Sequence, residues 1–190
     1  MMDIIRNGYP KEYKGYLINY SFLNALDVID CLNDPEFTDI EKQGQALRML
    51  YGAGYPEDIQ IALDGLSWFL SCGVKSMEND KSEVPEYDFI KDGGRLASAF
   101  SRFYNIDITK QDMHWFEFCD KMSDFGECAF TNVIDIRRKN LNDKSLTPEM
   151  KSVYVKLKER YSLEEFVDIE TTMTEDENEK IKAFLEMVKG

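Results

Sequence analysis

Residues 56–73 have the sequence PEDIQIALDGLSWFLSCG, in which apolar side chains recur at the spacing of one helix face. Positions i, i+3, i+4 and i+7 share a face of an α-helix, so the pattern predicts an amphipathic helix. Pro56 suits a first helical position, where its missing N–H is not needed, and Gly73 ends the pattern. Ile61 and Trp68 widen the apolar face, so we expect this helix to be central to the core. The face consists of Ile59, Ala62, Leu63, Leu66, Phe69 and Leu70.

Helix-start signals lie on both sides of this segment. On its N-terminal side, residues 38–41 (Thr-Asp-Ile-Glu) form a capping box, whose hydroxyl and carboxylate satisfy free amides of the first turn. On its C-terminal side, residues 109–112 resemble a second box, and residues 147–149 (Thr-Pro-Glu) predict a further start. The helix after the first box is predicted to end at Gly52 and Gly54, where left-handed backbone is free of Cβ strain. One of its faces is made of Ile40, Gly44, Leu47 and Tyr51.

Apolar periodicity predicts four more helices, over residues 22–32, 89–104, 130–141 and 174–188. The second of these contains the pair Gly93-Gly94, which predicts either a close helix crossing or a local break. We expect Asp88 to cap this helix.

Little of the remaining sequence predicts β-structure. Aromatic and β-branched residues around Gly15 predict a short strand or hairpin within residues 9–22, and residues 75–86 are predicted to form a surface loop. The predicted fold is therefore all-α, a compact bundle of about seven to nine helices with at most a short N-terminal β-hairpin. We expect a helical core domain over residues 1–146 and a C-terminal helical extension over residues 147–190, packed on the same domain.

The charge balance disfavours several classes of partner. Asp and Glu number 36 against 23 Lys and Arg, a formal net charge of −13. Such a surface repels nucleic-acid phosphates and anionic lipids, and the only dense basic cluster, residues 137–139, is short. No run approaches the ~20 apolar residues of a membrane-spanning helix, and the N-terminus does not resemble a secretory signal. We therefore expect a cytoplasmic protein that binds neither nucleic acid nor membrane, with its four cysteines reduced and mostly buried.

The polar residues that could carry chemistry are predicted to have structural rather than catalytic roles. His114 is the only histidine, and its aromatic neighbours predict a structural role rather than that of a catalytic base. Asp88 and Asp92 could bind a hard metal ion with Asp107 or Asp112, but a helix cap and an ion pair are the plainer interpretation. Arg137 falls on an apolar face and needs an anionic partner, for which Asp92 is the candidate. The sequence thus predicts no enzyme, metal, cofactor or small-molecule substrate, but a structural polar network of Asp88, Asp92, Asp107, His114 and Arg137.

Several segments together resemble the bacteriophage gene-product-fifteen family of long-tailed phages and prophages. The resemblance runs over residues 17–140, whereas residues 147–190 lie largely outside it, and Phe116 stands where a second tryptophan is expected. The N-terminal half of the resemblance comprises Ile18-Asn19 with Phe22, residues 32–42, and residues 66–69 with Cys72-Gly73. The second half comprises Asp88-Phe89 with Asp92, Phe100, residues 104–108, residues 113–115 with Phe118, and Ile136-Arg137.

Members of that family look like products of the tail module, encoded next to the tape-measure gene. The resemblance implies a tail assembly chaperone that coats the tape-measure protein until tail-tube subunits replace it. Nine methionines and many aromatic residues suit an adaptable groove for helices of such a client. The predicted terminal helix, through Phe184, Leu185 and Val188, would pack on its own domain, or dock on a client or on a neighbouring copy of the chain. The alternatives are a structural virion component, such as a tail or connector subunit, and a metal-dependent enzyme or regulator.

Overall fold

The computed structural model describes residues 3–74 and 86–163, and contacts divide the chain into two compact units, Met1–Asp135 and Ile136–Gly190. The described part is mainly α-helical with one short antiparallel hairpin, so the predicted fold class is confirmed. The elements are α1 Ile4–Asn7, β1 Glu12–Tyr13, β2 Tyr16–Leu17, α2 Phe22–Asn33, α3 Asp39–Tyr51, α4 Ile59–Leu70, α5 Gly93–Tyr104, α6 Trp115–Ser123, α7 Ala129–Arg138 and α8 Pro148–Arg160.

The hairpin is closed by a two-residue turn. Glu12 pairs with Leu17 and Tyr13 with Tyr16, and both turn residues, Lys14 and Gly15, have positive φ. Two such residues in succession are typical of the type I′ turn, whose twist matches that of paired strands. The predicted hairpin lies here.

The capping box at residues 38–41 is confirmed. Thr38 Oγ1 accepts from the Glu41 N–H, and Glu41 Oε2 accepts from the Thr38 N–H at 2.9 Å. Helix α3 ends at Gly52, as predicted, whereas Gly54 does not have the predicted left-handed backbone. The predicted face of α3 is only partly buried. Ile40 is 84% exposed and Gly44 is also exposed, because α3 is buried only in its C-terminal half. The buried side chains of α3 are Ala46, Leu47, Leu50 and Tyr51.

Helix α4 begins later than its proline suggests. The Asp58 carboxylate accepts from the Gln60 N–H at 2.9 Å, so Asp58 is the N-cap and the helix begins at Ile59. The prediction that Pro56 opens the helix is therefore wrong, and Pro56 is instead fully buried ahead of the cap. The expected central position of α4 holds: Ala62, Gly65, Leu66 and Phe69 are buried.

Helix α5 begins at Gly93, four residues later than predicted. Asp88 Oδ1 accepts from the N–H groups of Ile90 and Lys91, so Asp88 caps the preceding turn and not α5 itself. The glycine pair thus occupies the first turn of α5. A Cβ added at Gly93 or Gly94 would meet no described atom within 4 Å, so the prediction of a close helix crossing at this pair is wrong. The alternative, a local break, agrees with a helix that begins only at Gly93.

Aromatic rings fill the interior of the first unit. Phe118 stacks on Phe22 with centroids 4.8 Å apart, on Phe100 at 4.9 Å and on Trp115 at 5.5 Å. Stacked and edge-to-face aromatic pairs contribute about 0.5–1.5 kcal/mol each beyond their buried area. Phe118 on α6 therefore joins α2 and α5 in one core.

The second unit is described over residues 136–163. Thr147 caps α8 with Pro148 at its first position, as predicted, and no side chain of α8 is buried. The prediction that residues 147–190 pack on the same domain as residues 1–146 stays a prediction. The predicted loop at 75–86 falls largely, and the predicted helix at 174–188 with Phe184, Leu185 and Val188 entirely, outside the described residues.

Candidate functional site

His114 is the N-cap of α6, and both of its ring nitrogens have backbone partners. Its Nδ1 accepts from the Phe116 N–H at 3.0 Å, and its Nε2 lies 2.7 Å from the Pro10 carbonyl oxygen. An acceptor at Nδ1 and a donor at Nε2 define the neutral tautomer with the proton on Nε2. The box predicted at residues 109–112 is therefore wrong as the start of α6.

The His114 ring lies between two tyrosines. Its centroid is 5.1 Å from the Tyr9 ring and 5.1 Å from the Tyr20 ring, both stacked. The side chain is buried, and this burial is the main cause that lowers the pKa of His114 below its usual value. A neutral ring with both nitrogens bonded to backbone has little capacity for proton transfer, and the structural role of His114 stays a prediction.

Asp88 and Asp92 are brought together. Asp92 is buried, and its Oδ2 accepts from the Asp88 N–H at 3.2 Å. Its Oδ1 lies 3.2 Å from Nη1 of Arg95, an ion pair that the sequence reasoning did not name. Arg95 follows Asp92 by three positions, the spacing at which helical side chains meet, so this pair could have been found from spacing alone.

The other members of the predicted network have partners of their own. Asp107 accepts from the Thr109 hydroxyl at 2.6 Å and from Lys110 Nζ at 2.7 Å, and these bonds lower its pKa to about 2. Arg137 lies in the second unit, where its Nε donates to the Tyr161 carbonyl at 2.7 Å. A single network of all five predicted residues stays a prediction. Among the described residues, no group of three or more His, Cys, Asp or Glu side chains could hold a metal ion.

The four cysteines have free thiols. Cys31 and Cys128 are buried, as expected, whereas Cys72 and Cys119 are half-buried. A hydrogen bond with Cys72, followed by burial, raises the pKa of the Cys119 thiol far above its usual value. Since the thiolate is the reactive form, Cys119 is a poor nucleophile.

An open depression of about 340 Å³ lies in the first unit. Its lining includes one carboxylate, Asp64, which accepts from Gln60 Nε2 at 2.8 Å. The remaining lining residues that the structure describes are Tyr13, Ser67, Trp68, Ser71, Gly73 and Val74.

The described surface carries scattered apolar side chains. Ile5, Leu17, Ile40 and Ile90 are among the most exposed, and each lies at or near the start or end of a helix or strand. No helix in the described ranges has both the length and the apolar content that a bilayer crossing requires. These features define a mainly α-helical protein with a closed aromatic interior and apolar side chains at its surface.

A family model described as Bacteriophage Gp15 protein matches residues 5–163. The chain belongs to this family, which confirms the resemblance seen in the sequence. The match reaches further at both ends than residues 17–140 and includes α8. Comparison with curated proteins and with solved structures gives no match. Membership of the family indicates a structural or assembly protein of a bacteriophage, which interacts with other phage proteins.

Proposed function

We propose that this protein is a tail assembly chaperone that binds the tape-measure protein in the cytoplasm of the bacterial host and catalyses no reaction. Membership of the phage family carries the proposal, because it indicates a role in phage structure or assembly. A chaperone role also agrees with a net charge of −13, since a charged surface keeps an aggregation-prone client soluble.

The absence of catalysis is part of the same proposal. His114, the only histidine of the chain, has both ring nitrogens engaged, and the Cys119 thiol is held protonated. The buried carboxylate Asp92 is paired with Arg95. These groups are the ones that acid–base or nucleophilic chemistry would need, and their bonds favour a structural role.

Co-expression tests the chaperone role. The full chain, carrying an affinity tag, is produced together with the tape-measure protein encoded in the same genome. We expect the two proteins to co-purify and the soluble fraction of the tape-measure protein to increase. A tape-measure protein that does not co-purify, and that is equally soluble when produced alone, would contradict the proposal.

Two further measurements separate the alternatives. Mass spectrometry of purified phage particles should not find a chaperone, whereas a stoichiometric amount would identify a structural virion component. Metal analysis of the purified full chain should find no stoichiometric metal ion. A bound ion would instead favour a metal-dependent enzyme or regulator.

A further inference from the structure

Cys72 and Cys119 lie together where the C-terminal end of α4 meets α6. Their thiols are hydrogen-bonded to each other, and both side chains are half-buried. Cys72 lies in the turn that follows α4, and Cys119 lies in the middle of α6. Two free thiols in contact, each partly open to solvent, are the starting arrangement for a disulfide.

A contact between neighbouring residues places the same two segments against each other. Trp115 Nε1 donates to the Leu70 carbonyl oxygen at 3.4 Å. Cys119 follows Trp115 by four positions and therefore lies on the same face of α6, whereas Cys72 follows Leu70 by two positions. The packing of these segments, and not the thiols alone, therefore brings the two sulfur atoms together.

The phenol of Tyr87 lies beside the same pair. Burial raises the pKa of Tyr87, and interactions with Cys119, Glu86 and Cys72 raise it further. Both thiols thus belong to one half-buried cluster in the first unit.

The turn that carries Cys72 is ordered and can be approached from solvent. The Cys72 N–H donates to the Phe69 carbonyl oxygen at 3.1 Å, and the Gly73 N–H donates to the Trp68 carbonyl oxygen at 2.8 Å. Ser71 and Gly73, the residues on either side of Cys72, line the open depression of about 340 Å³. A small disulfide compound can therefore reach Cys72 from this side.

We infer that Cys72 and Cys119 are a redox pair, which a low-molecular-weight disulfide such as oxidised glutathione converts into an intramolecular disulfide that joins the end of α4 to α6. This inference is independent of the proposed function. The Cys72 thiolate attacks one sulfur of oxidised glutathione, which forms a mixed disulfide and releases one glutathione thiolate. The Cys119 thiol then loses its proton, and its sulfur attacks the Cys72 sulfur and releases the second glutathione. Two protein thiols are oxidised to one disulfide, oxidised glutathione is reduced to two thiols, and the two protons pass to the glutathione sulfurs.

The order of the two steps follows from the contact between the sulfurs. The hydrogen bond with Cys72 is the main cause that raises the pKa of the Cys119 thiol, so Cys119 is a poor nucleophile while Cys72 is a thiol. Once Cys72 has become a mixed disulfide, its thiol is gone, and Cys119 has an electrophilic sulfur as its neighbour instead. Cys72 is therefore the attacking residue and Cys119 the resolving residue.

Oxidation of the full chain tests the pair. The reduced protein is incubated under native conditions with oxidised glutathione, the remaining thiols are alkylated, and peptides are mapped by mass spectrometry without reduction. We expect two peptides joined through Cys72 and Cys119, and dithiothreitol should separate them. The link closes a loop of about 50 residues in the unfolded chain, so the Tm should rise by about 5 °C or more.

Substitutions test the order of the steps. In Cys119→Ser, Cys72 should accumulate as a mixed disulfide with glutathione, whereas in Cys72→Ser, Cys119 should react with glutathione at least about tenfold more slowly than Cys72 does. The matched control Cys31→Ala with Cys128→Ala replaces the two buried cysteines and should form the link within about twofold of the rate of the unmodified protein. Circular dichroism checks that each variant is folded.

Three results would overturn the inference. They are a Cys72–Cys119 link that forms only in urea, a disulfide that joins two copies of the chain, and glutathione adducts of the folded protein that never resolve into the link. A Cys119 thiol that reacts faster than Cys72 would overturn the assigned order. The link is measured on the unmodified protein, so the test remains decisive even where a variant does not fold.

Discussion

The His114 ring should control stability between pH 7.5 and 5.5. It closes the N-terminus of α6 through Phe116, bonds to the Pro10 carbonyl, and stacks between Tyr9 and Tyr20. A lost N-cap costs about 1 kcal/mol, a lost hydrogen bond about 1 kcal/mol, and a lost aromatic pair at least about 0.5 kcal/mol. We therefore expect His114→Ala to reduce the free energy of unfolding by about 3 kcal/mol, a fall in Tm of about 6–12 °C.

His114→Asn separates the two hydrogen bonds. The Asn Oδ1 can take the place of Nδ1 and accept from the Phe116 N–H, whereas the shorter side chain cannot reach Pro10. This variant should lose about 2 kcal/mol, less than His114→Ala, because it retains the cap. Urea unfolding followed by tryptophan fluorescence measures both values, and Trp115 is the residue next to the substitution.

The sign of the pH dependence follows from the lowered pKa of His114. The unfolded chain protonates its single histidine near pH 6.5, whereas burial of the ring lowers the pKa of His114 in the folded chain. Protonation would also break the bond that Nδ1 accepts from the Phe116 N–H. The contribution to stability is thus fully present above pH 6.5 and is lost as the pH falls below that value. At pH 5.5 the loss is at most about 1.4 kcal/mol.

His114→Asn supplies the control for this pH effect, because it removes the titrating group and leaves every carboxylate in place. The difference in unfolding free energy between the two proteins should shrink from pH 7.5 to 5.5. An NMR titration of the single imidazole should give a midpoint below 6.5. Parallel stability curves for the two proteins over this pH range, or a midpoint at or above 6.5, would refute the assignment of a buried neutral cap.

Three further predictions test the packing and the electrostatics of the first unit. Gly65→Ala should destabilise the protein by about 1–3 kcal/mol in urea unfolding, since a Cβ there meets the Tyr51 hydroxyl and the Tyr13 ring. The control Gly44→Ala, at an open helical position, should stabilise the protein by about 0.5–1 kcal/mol. A Gly65→Ala variant that is more stable than the unmodified protein would contradict the close approach. Phe118→Ala should cost about 3–5 kcal/mol and Phe118→Leu less, measured as falls in Tm. A Phe118→Leu protein as stable as the unmodified one would show that ring stacking is not what the site requires. Burial, and then a hydrogen bond to Asp120, raises the pKa of Tyr9 to about 12. Asp120→Asn should therefore lower the pKa of Tyr9, measured by ultraviolet titration of the phenol. An unchanged titration would exclude the bond.

The parts of the fold that depend on neighbouring residues could be predicted from the sequence. The capping box at residues 38–41 and the Thr147-Pro148 start of α8 involve side chains within one helical turn, so their spacing suffices. The hairpin turn at Lys14 and Gly15 is equally local. The ion pair between Asp92 and Arg95 could also be predicted, because side chains three residues apart meet on a helix.

The remaining features depend on contacts between distant segments. Histidine is not a favoured N-cap residue, and His114 acts as one because Pro10, distant in sequence, bonds its other nitrogen. Gly65 lies in a helix where the pattern gives no reason for a glycine, and the reason is the approach of Tyr51 and Tyr13. The exposure of Ile40 could not be predicted, because periodicity identifies a helix face but not how far along the helix that face is covered.

The location of the aromatic residues changes how a client could be bound. The sequence suggested an adaptable groove of methionines and aromatic rings, but Phe22, Phe100, Trp115 and Phe118 stack on one another in the interior. The most exposed apolar side chains are aliphatic and separated from each other along the chain. Isolated side chains of this kind each add little affinity, so the proposed role would use weak contacts and depend on charge for its selectivity. Weak binding suits a chaperone that must release its client, because a weaker complex differs from a tighter one mainly by dissociating faster. Tight, salt-independent binding of the tape-measure protein would therefore be inconsistent with separated apolar side chains on the surface of a chain with a net charge of −13.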